Sequence, residues 1–290
     1  MDERSAIGVV GGLGPYAGLD LVKKVFDHTV ASTDQDHLPV VLINFPGHIP
    51  DRSTYIADQA KPNPVPPLLE VLRRLEAAGC AVAGMPCNTA HAPVIFDALV
   101  DGLAREGRSI SLLNMIDASA EATERRAPGA RRVGVLGTNA TVQQGLYDRA
   151  LAERGLECVT PEWDFQDHVV NPVIFDTTWG LKAQSDPPTE RARAQLLEGV
   201  RHLEARGAEV VILGCTELPL AVPEAEFEGV PLVDSTRSLA RALIRETHPH
   251  ALRPLADALG LAEAGDGVAV DGPVDGPVGG AVADPERPRH

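Results

Sequence analysis

The sequence predicts an α/β protein built from two pseudo-symmetric domains, each a mostly parallel sheet flanked by helices, with an active site in the cleft between them. Three observations carry this prediction. Short apolar runs of strand type alternate with helix-type runs along nearly the whole chain, the pattern of strand–helix–strand units. The opening Ile7-Gly8-Val9-Val10-Gly11-Gly12 is echoed by Val133-Gly134-Val135-Leu136-Gly137-Thr138. Gly79 to Cys87 and Gly207 to Cys215 are both eight steps, each reading helix end, glycine, apolar strand, cysteine, then small polar residues. A repeat with one thiol per copy, each at the C-terminal end of a strand, predicts two thiols facing one another across a cleft.

The elements follow in order. Residues 7–10 form a short apolar strand of buried type, 16–32 a helix and 38–45 a strand. Over 66–78, Leu68, Leu69, Leu72 and Leu75 recur at helical spacing. Residues 80–85 are a strand, and 91–105 a helix whose first turn tolerates Pro93. A strand at 109–114 and a helix at 118–126 follow. The second half repeats the alternation: strand 133–136, helix 142–154, strand 157–160, helix 190–205, strand 210–213 and a short helix after Cys215. The stretch 232–247 is expected to pack back on the first domain. The resulting division is 1–116 for the first half, completed by 226–262, and 117–225 for the second. Residues 265–290 contain Val-Asp-Gly-Pro twice and too little apolar content for a core, so they are expected to be a disordered tail.

Bulk composition narrows the function. At 290 residues the chain can hold two cores, and 44% hydrophobic content fits a soluble globular protein. No apolar run reaches the length of a membrane span. A net charge of −15 argues against nucleic acid and anionic membranes as partners. The acidic opening, Met-Asp-Glu-Arg-Ser-Ala-Ile, does not read as a secretory signal, and four sparse cysteines do not read as a disulfide framework. Both predict a reducing, cytoplasmic setting with free thiols.

Cys87 and Cys215 are the leading catalytic candidates. Each leaves a strand and precedes a helix, a setting that lowers a thiol pKa. The structural alternative, a cysteine that only fills space, is weakened by their matched positions. Cys80 and Cys158 have no partner in the repeat and are read as structural. Cys-x-x-Cys and His-Glu-x-x-His are absent, so a metal site is not expected. The glycines at 12, 14 and 18 are out of dinucleotide register, and Pro15 removes a donor. The loop offers donors to a carboxylate, or is simply a tight strand-to-helix turn. Arg52, in Pro50-Asp51-Arg52, is a natural carboxylate partner, and Lys182 is a second candidate cation. Thr138, Thr141, Thr89 and Thr216 carry hydroxyls that could contact substrate or only cap helices.

On Gly-Gly-Leu-Gly-Pro (11–15), Ile-Pro-Asp-Arg (49–52), Pro-Cys-Asn-Thr-Ala-His (86–91), Leu-Gly-Thr-x-x-Thr (136–141) and Gly-Cys-Thr-Glu-Leu (214–218), the chain resembles the aspartate/glutamate racemase superfamily, most closely its aspartate racemase branch. The resemblance spans roughly residues 7–245. It implies cofactor-independent racemisation of aspartate, glutamate or a related amino acid, with Cys87 and Cys215 as paired acid and base. It implies substrate contacts at Gly12, Arg52, Asn88, Thr89, Thr138, Thr141, Lys182 and Thr216. Asp51, His91 and Glu217 would tune the thiols, and a homodimer is implied. Gly18 and Ala140 depart from the residues aspartate racemases usually carry, Thr and Gly. The superfamily also contains decarboxylases and isomerases of dicarboxylates, which generally lack one of the two cysteines. A binding protein that has kept the cleft without turnover is the reading from outside enzymology.

Overall fold

The computed structural model describes residues 5–259. The first half is a four-stranded parallel sheet of β1 (Ala6–Gly11), β2 (Val40–Asn44), β3 (Cys80–Gly84) and β4 (Ser111–Leu113), ordered β2-β1-β3-β4. Its connections are α1 (Pro15–Asp27), α2 (Arg52–Ala57), α3 (Val65–Ala77) and α4 (Pro93–Arg105), and α5 (Met115–Arg126) leads out of it. The second half holds β5 (Arg132–Gly137), α6 (Asn139–Gln143), α7 (Leu146–Ala152) and β6 (Glu157–Val159). Next come α8 (Trp163–Phe165), a π turn over Gln166–Val170, α9 (Asn171–Phe175), α10 (Glu190–Ala205), β7 (Val210–Gly214) and α11 (Leu218–Ala221). β8 (Glu226–Phe227) and β9 (Val230–Asp234) close a sheet ordered β6-β5-β7-β9-β8, with only the β8–β9 pair antiparallel. The chain then runs through α12 (Ser235–Thr247) and α13 (Leu255–Leu259).

The repeat read in the sequence is the repeat of the fold. β1 and β5 each neighbour the second and third strands of their own half. Every residue of β1 and β7 is buried, as expected for strands covered on both faces. Gly79 and Gly207 lie just past the ends of α3 and α10 with φ near +90° and +89°. That left-handed turn is open to glycine at little cost, and it aims the next strand back into the sheet. In parallel sheets the residues after β3 and β7 emerge on the C-terminal side, where α/β sheets bind ligands.

Several boundaries differ from expectation for local reasons. The predicted helix over 142–154 is two helices, because Thr138 caps α6 by accepting from the Thr141 amide and Gly145 turns left-handed at φ +58°. α5 starts earlier than 118, at Met115, because the Asn114 side chain accepts from the Ile116 amide. α1 stops at Asp27, and Thr29 bridges to Leu252 instead. The stretch 226–262, expected with the first half, divides: β8 and β9 join the second sheet, while α12 packs on α1, α5 and β3. Gly84 permits that packing, since a Cβ there would lie 2.7 Å from Leu243 Cδ1. Leu239, Leu243 and Ile244 are fully buried on the packed face, each contributing roughly 1.5–3 kcal/mol of burial. The segment 265–290 falls outside the described residues.

Candidate active site

β3 ends at Gly84, and Met85-Pro86 carry the chain to Cys87, which opens a 3₁₀ turn over Asn88–His91. His91 fixes this turn. Its Nε2 accepts from the Met115 amide at 3.1 Å, so its Nδ1 carries the proton and donates to the Cys87 carbonyl at 2.9 Å. Burial pushes the His91 pKa down to about 4. His91 is therefore neutral and positions the Cys87 backbone; it does not tune the thiol by charge. Asn88 is held at both ends of its amide, donating to Ser235 Oγ at 3.2 Å and accepting from Tyr147 Oη at 2.6 Å.

Cys215 follows β7 directly, and its surroundings differ from those expected. Its sulfur donates to Glu217 Oε2 at 3.0 Å, and Thr216 Oγ1 donates to the same oxygen at 3.2 Å. Lys182 Nζ holds the other oxygen at 2.8 Å. Burial, then the Glu217 carboxylate, drives the Cys215 pKa well above that of an ordinary thiol, against the pull of Lys182. The expectation of a lowered thiol pKa at Cys215 is thus corrected: α11 begins only at Leu218, is four residues long, and a buried carboxylate stands in front of it. Burial works against the charge on Glu217, yet Lys182 and the Cys215 hydrogen bond outweigh it and keep the pKa low. Burial likewise disfavours charge on Lys182, but Glu217, Cys215 and Cys87 raise its pKa on balance.

Arg52 enters from the other half as the first residue of α2, whose cap is the Asp51 carboxylate bonded to the Thr54 amide at 2.8 Å. Its guanidinium is buried, donates to the Leu13 and Pro50 carbonyls, and leaves Nε without a partner. Desolvation opposes its charge, but the adjacent Cys87 sulfur, Asp51 and Glu217 prevail and raise its pKa. Asp51 thus acts on α2 and Arg52. The two sulfurs sit in opposite settings, Cys87 beside a cation and Cys215 bonded to an anion.

Thr89, Thr138 and Thr141 form a closed ring of hydroxyls across the halves, with Oγ1–Oγ1 distances of 3.0, 3.3 and 3.0 Å. A narrow cavity is lined by Cys87 and Cys215 together with Asp51, Arg52, Asn88, Thr89, Thr138, Lys182 and Thr216. It shares Asp51, Arg52 and Lys182 with an outer cleft of about 490 Å³ walled by Gly12, Gly14, Tyr16 and Glu217. Gly12 has φ +90°, and a Cβ there would lie 2.8 Å from the Phe45 carbonyl carbon. Its place in the wall is therefore conformational. Cys80 and Cys158 lie outside the cavity, and burial raises their pKa values to about 11 and 12, Cys158 with help from Asp148. Among the described residues, no group of three or more His, Cys, Asp or Glu could hold a metal ion, and no helix is long and apolar enough to cross a membrane.

Residues 10–243 match the sequence pattern of the Asp/Glu/hydantoin racemase family. The chain belongs to this family. Its homologues and structural neighbours include amino-acid racemases, and this family member is an isomerase. It is 25% identical over 244 residues to the broad specificity amino-acid racemase RacX of Bacillus subtilis (strain 168), covering 82% of this chain and 96% of that protein. The Picrophilus torridus aspartate racemase superposes with TM-score 0.70 at 29% identity, covering 89% of this chain and 99% of that one. An aspartate racemase homologue from Pyrococcus horikoshii OT3 gives TM-score 0.62 at 25% identity over 84% and 99% of the two chains.

The family member's site also uses residues that motif reading passed over. Phe175 lines the cavity, with Lys182 Nζ 5.6 Å from its ring centroid. Tyr147 and Ser235 orient Asn88 from 59 and 147 residues away in sequence. A signal existed for Tyr147, since a tyrosine on a buried helix face needs a hydroxyl partner. Gly14 marks close approach: a Cβ there would sit 2.5 Å from Glu217 Oε1.

Proposed function

We propose that the chain racemises a dicarboxylic amino acid, aspartate, glutamate or a near relative, without a cofactor, using Cys87 and Cys215 as the two proton-transfer groups. The observation that carries this is the pair of thiols on one cavity, each from the matching position of its own sheet. Cys215 is the acid at rest, because its proton is held by Glu217, and Cys87, beside the Arg52 guanidinium, is the group left to take the Cα proton. The Cα proton passes to the Cys87 sulfur and leaves its electron pair in a carbanion conjugated with the carboxylate. Cys215 then delivers its proton to the opposite face. The product is inverted and the thiol and thiolate have exchanged places, so the reverse substrate hand meets the complementary state. Each such proton transfer contributes roughly 10²–10⁴-fold. Arg52, with Nε unpartnered, and Lys182 are suited to the two carboxylates, and the hydroxyl ring and backbone amides after each cysteine to the developing charge.

Each enantiomer of aspartate and glutamate, incubated in D₂O and followed by NMR with chiral chromatography, tests this reading. One deuterium at Cα in the inverted product supports it. Loss of CO₂ would mark a decarboxylase, and saturable binding without exchange a non-catalytic protein.

A further inference from the structure

We infer that the groove between α5, α12 and α13 is a second binding site, for a small multivalent oxyanion such as a phosphate ester or polycarboxylate. The groove is shallow, with room for about 50 Å³ and open to solvent, and it shares no lining residue with the catalytic cavity. Five arginines face it: Arg125 and Arg126 from the last turn of α5, and Arg237, Arg241 and Arg245 spaced four apart along α12. Like charges at that spacing repel one another along a helix, and they are concentrated here in a chain of net charge −15.

The carboxylates nearby do not balance them. Glu121 is shared between Arg125 and Arg245. Asp234 is taken by Lys24 at 2.6 Å and stands 3.7 Å from Arg237, and Glu226 is 3.7 Å from Arg126. Arg241 has no carboxylate partner among the described residues; it donates to the His28 ring nitrogen at 3.1 Å and the Arg253 carbonyl at 2.9 Å. Burial, with Arg245, Arg125 and Arg237, pushes the Arg241 pKa down, as expected of uncompensated positive charge. His28 adds none, since burial and Arg241 lower its pKa to about 4. Guanidinium forks bind phosphate and carboxylate oxygens two at a time, and Ala118, Ala122 and Leu255 supply apolar wall for the rest of a ligand.

Calorimetric titration of the full chain with pyrophosphate and with citrate, at fixed ionic strength, tests the site. Saturable binding is expected for at least one, the tighter telling phosphate ester from polycarboxylate. Arg241→Gln should weaken it about tenfold or more, the loss of one charge-assisted contact. Arg125→Gln with Arg245→Gln should do the same and leaves the Arg241 contacts to His28 and Arg253 intact. Arg52→Ala should leave binding unchanged. The inference is overturned by no binding, by acetate binding as well as either probe, or by affinity lost in Arg52→Ala. Affinity kept in both groove variants would also overturn it. So would binding that appears only after residues 260–290 are removed, which would make the acidic end of the chain itself the occupant.

Discussion

Replacing Glu217 by glutamine keeps the shape of the site and removes one charge. The carboxylate is 3.0 Å from the Cys215 sulfur and 2.8 Å from Lys182 Nζ. Two unit charges about 4 Å apart interact by about 4 kcal/mol at an effective dielectric of 20, so forming a thiolate beside Glu217 is opposed on that scale. The hydrogen bond from the thiol to a charged acceptor adds about 1.5–3 kcal/mol in the same direction. In the variant both are lost, and Lys182, no longer neutralised, favours a thiolate. Even if most of this is screened, the Cys215 pKa should fall. The assay is the pH dependence of Cys215 alkylation by iodoacetamide, read by peptide mass spectrometry in a Cys87→Ser background. The sigmoid should move to lower pH. An unmoved or upward-shifted curve would refute the role given to Glu217.

Other perturbations have distinct signatures. Gly14→Ala places a Cβ 2.5 Å from Glu217 Oε1; it should displace the carboxylate and shift the same alkylation curve downward without changing the fold by circular dichroism. Arg52→Ala should lower kcat/KM on the best amino-acid substrate by about 3 kcal/mol, roughly a hundredfold, and unchanged kinetics would remove Arg52 from the site. Stability should also depend on pH through His91, whose folded pKa of about 4 lies below the ordinary 6.5. The unfolded chain therefore binds more protons between those values, and the contribution is full above pH 6.5 and lost as pH falls toward 4. Between pH 7 and 5 the loss from this one ring is about 2 kcal/mol. Urea unfolding of wild type and His91→Gln should differ by that amount in pH sensitivity, and equal sensitivity would contradict the buried neutral ring.

What could be read in advance follows from what is local. Gly79 and Gly207, with an apolar strand and a cysteine after each, announce a repeated turn–strand–thiol unit because the left-handed turn and the buried strand are set by neighbouring residues. The same locality made Thr138 visible as a possible cap, and it is one. The electrostatic states of the two thiols were not legible. Lys182 and Glu217 are 35 residues apart, and only the closure of the second half brings Lys182 onto the carboxylate that holds the Cys215 proton. His91 was visible as a residue that orients the loop or tunes Cys87, but the choice needed the Met115 amide, 24 residues on. β9 was unreadable as a second-half strand because its partner is β7, while the helix that follows it packs on the first half.

The most direct test of the two-thiol account is α-hydrogen exchange in D₂O by Cys87→Ser and Cys215→Ser, each given the two enantiomers separately. The account predicts that racemisation is lost in both variants with the fold retained. It allows a surviving thiol to exchange the Cα hydrogen of one enantiomer without inversion. Racemisation at near wild-type rate by either variant would contradict it.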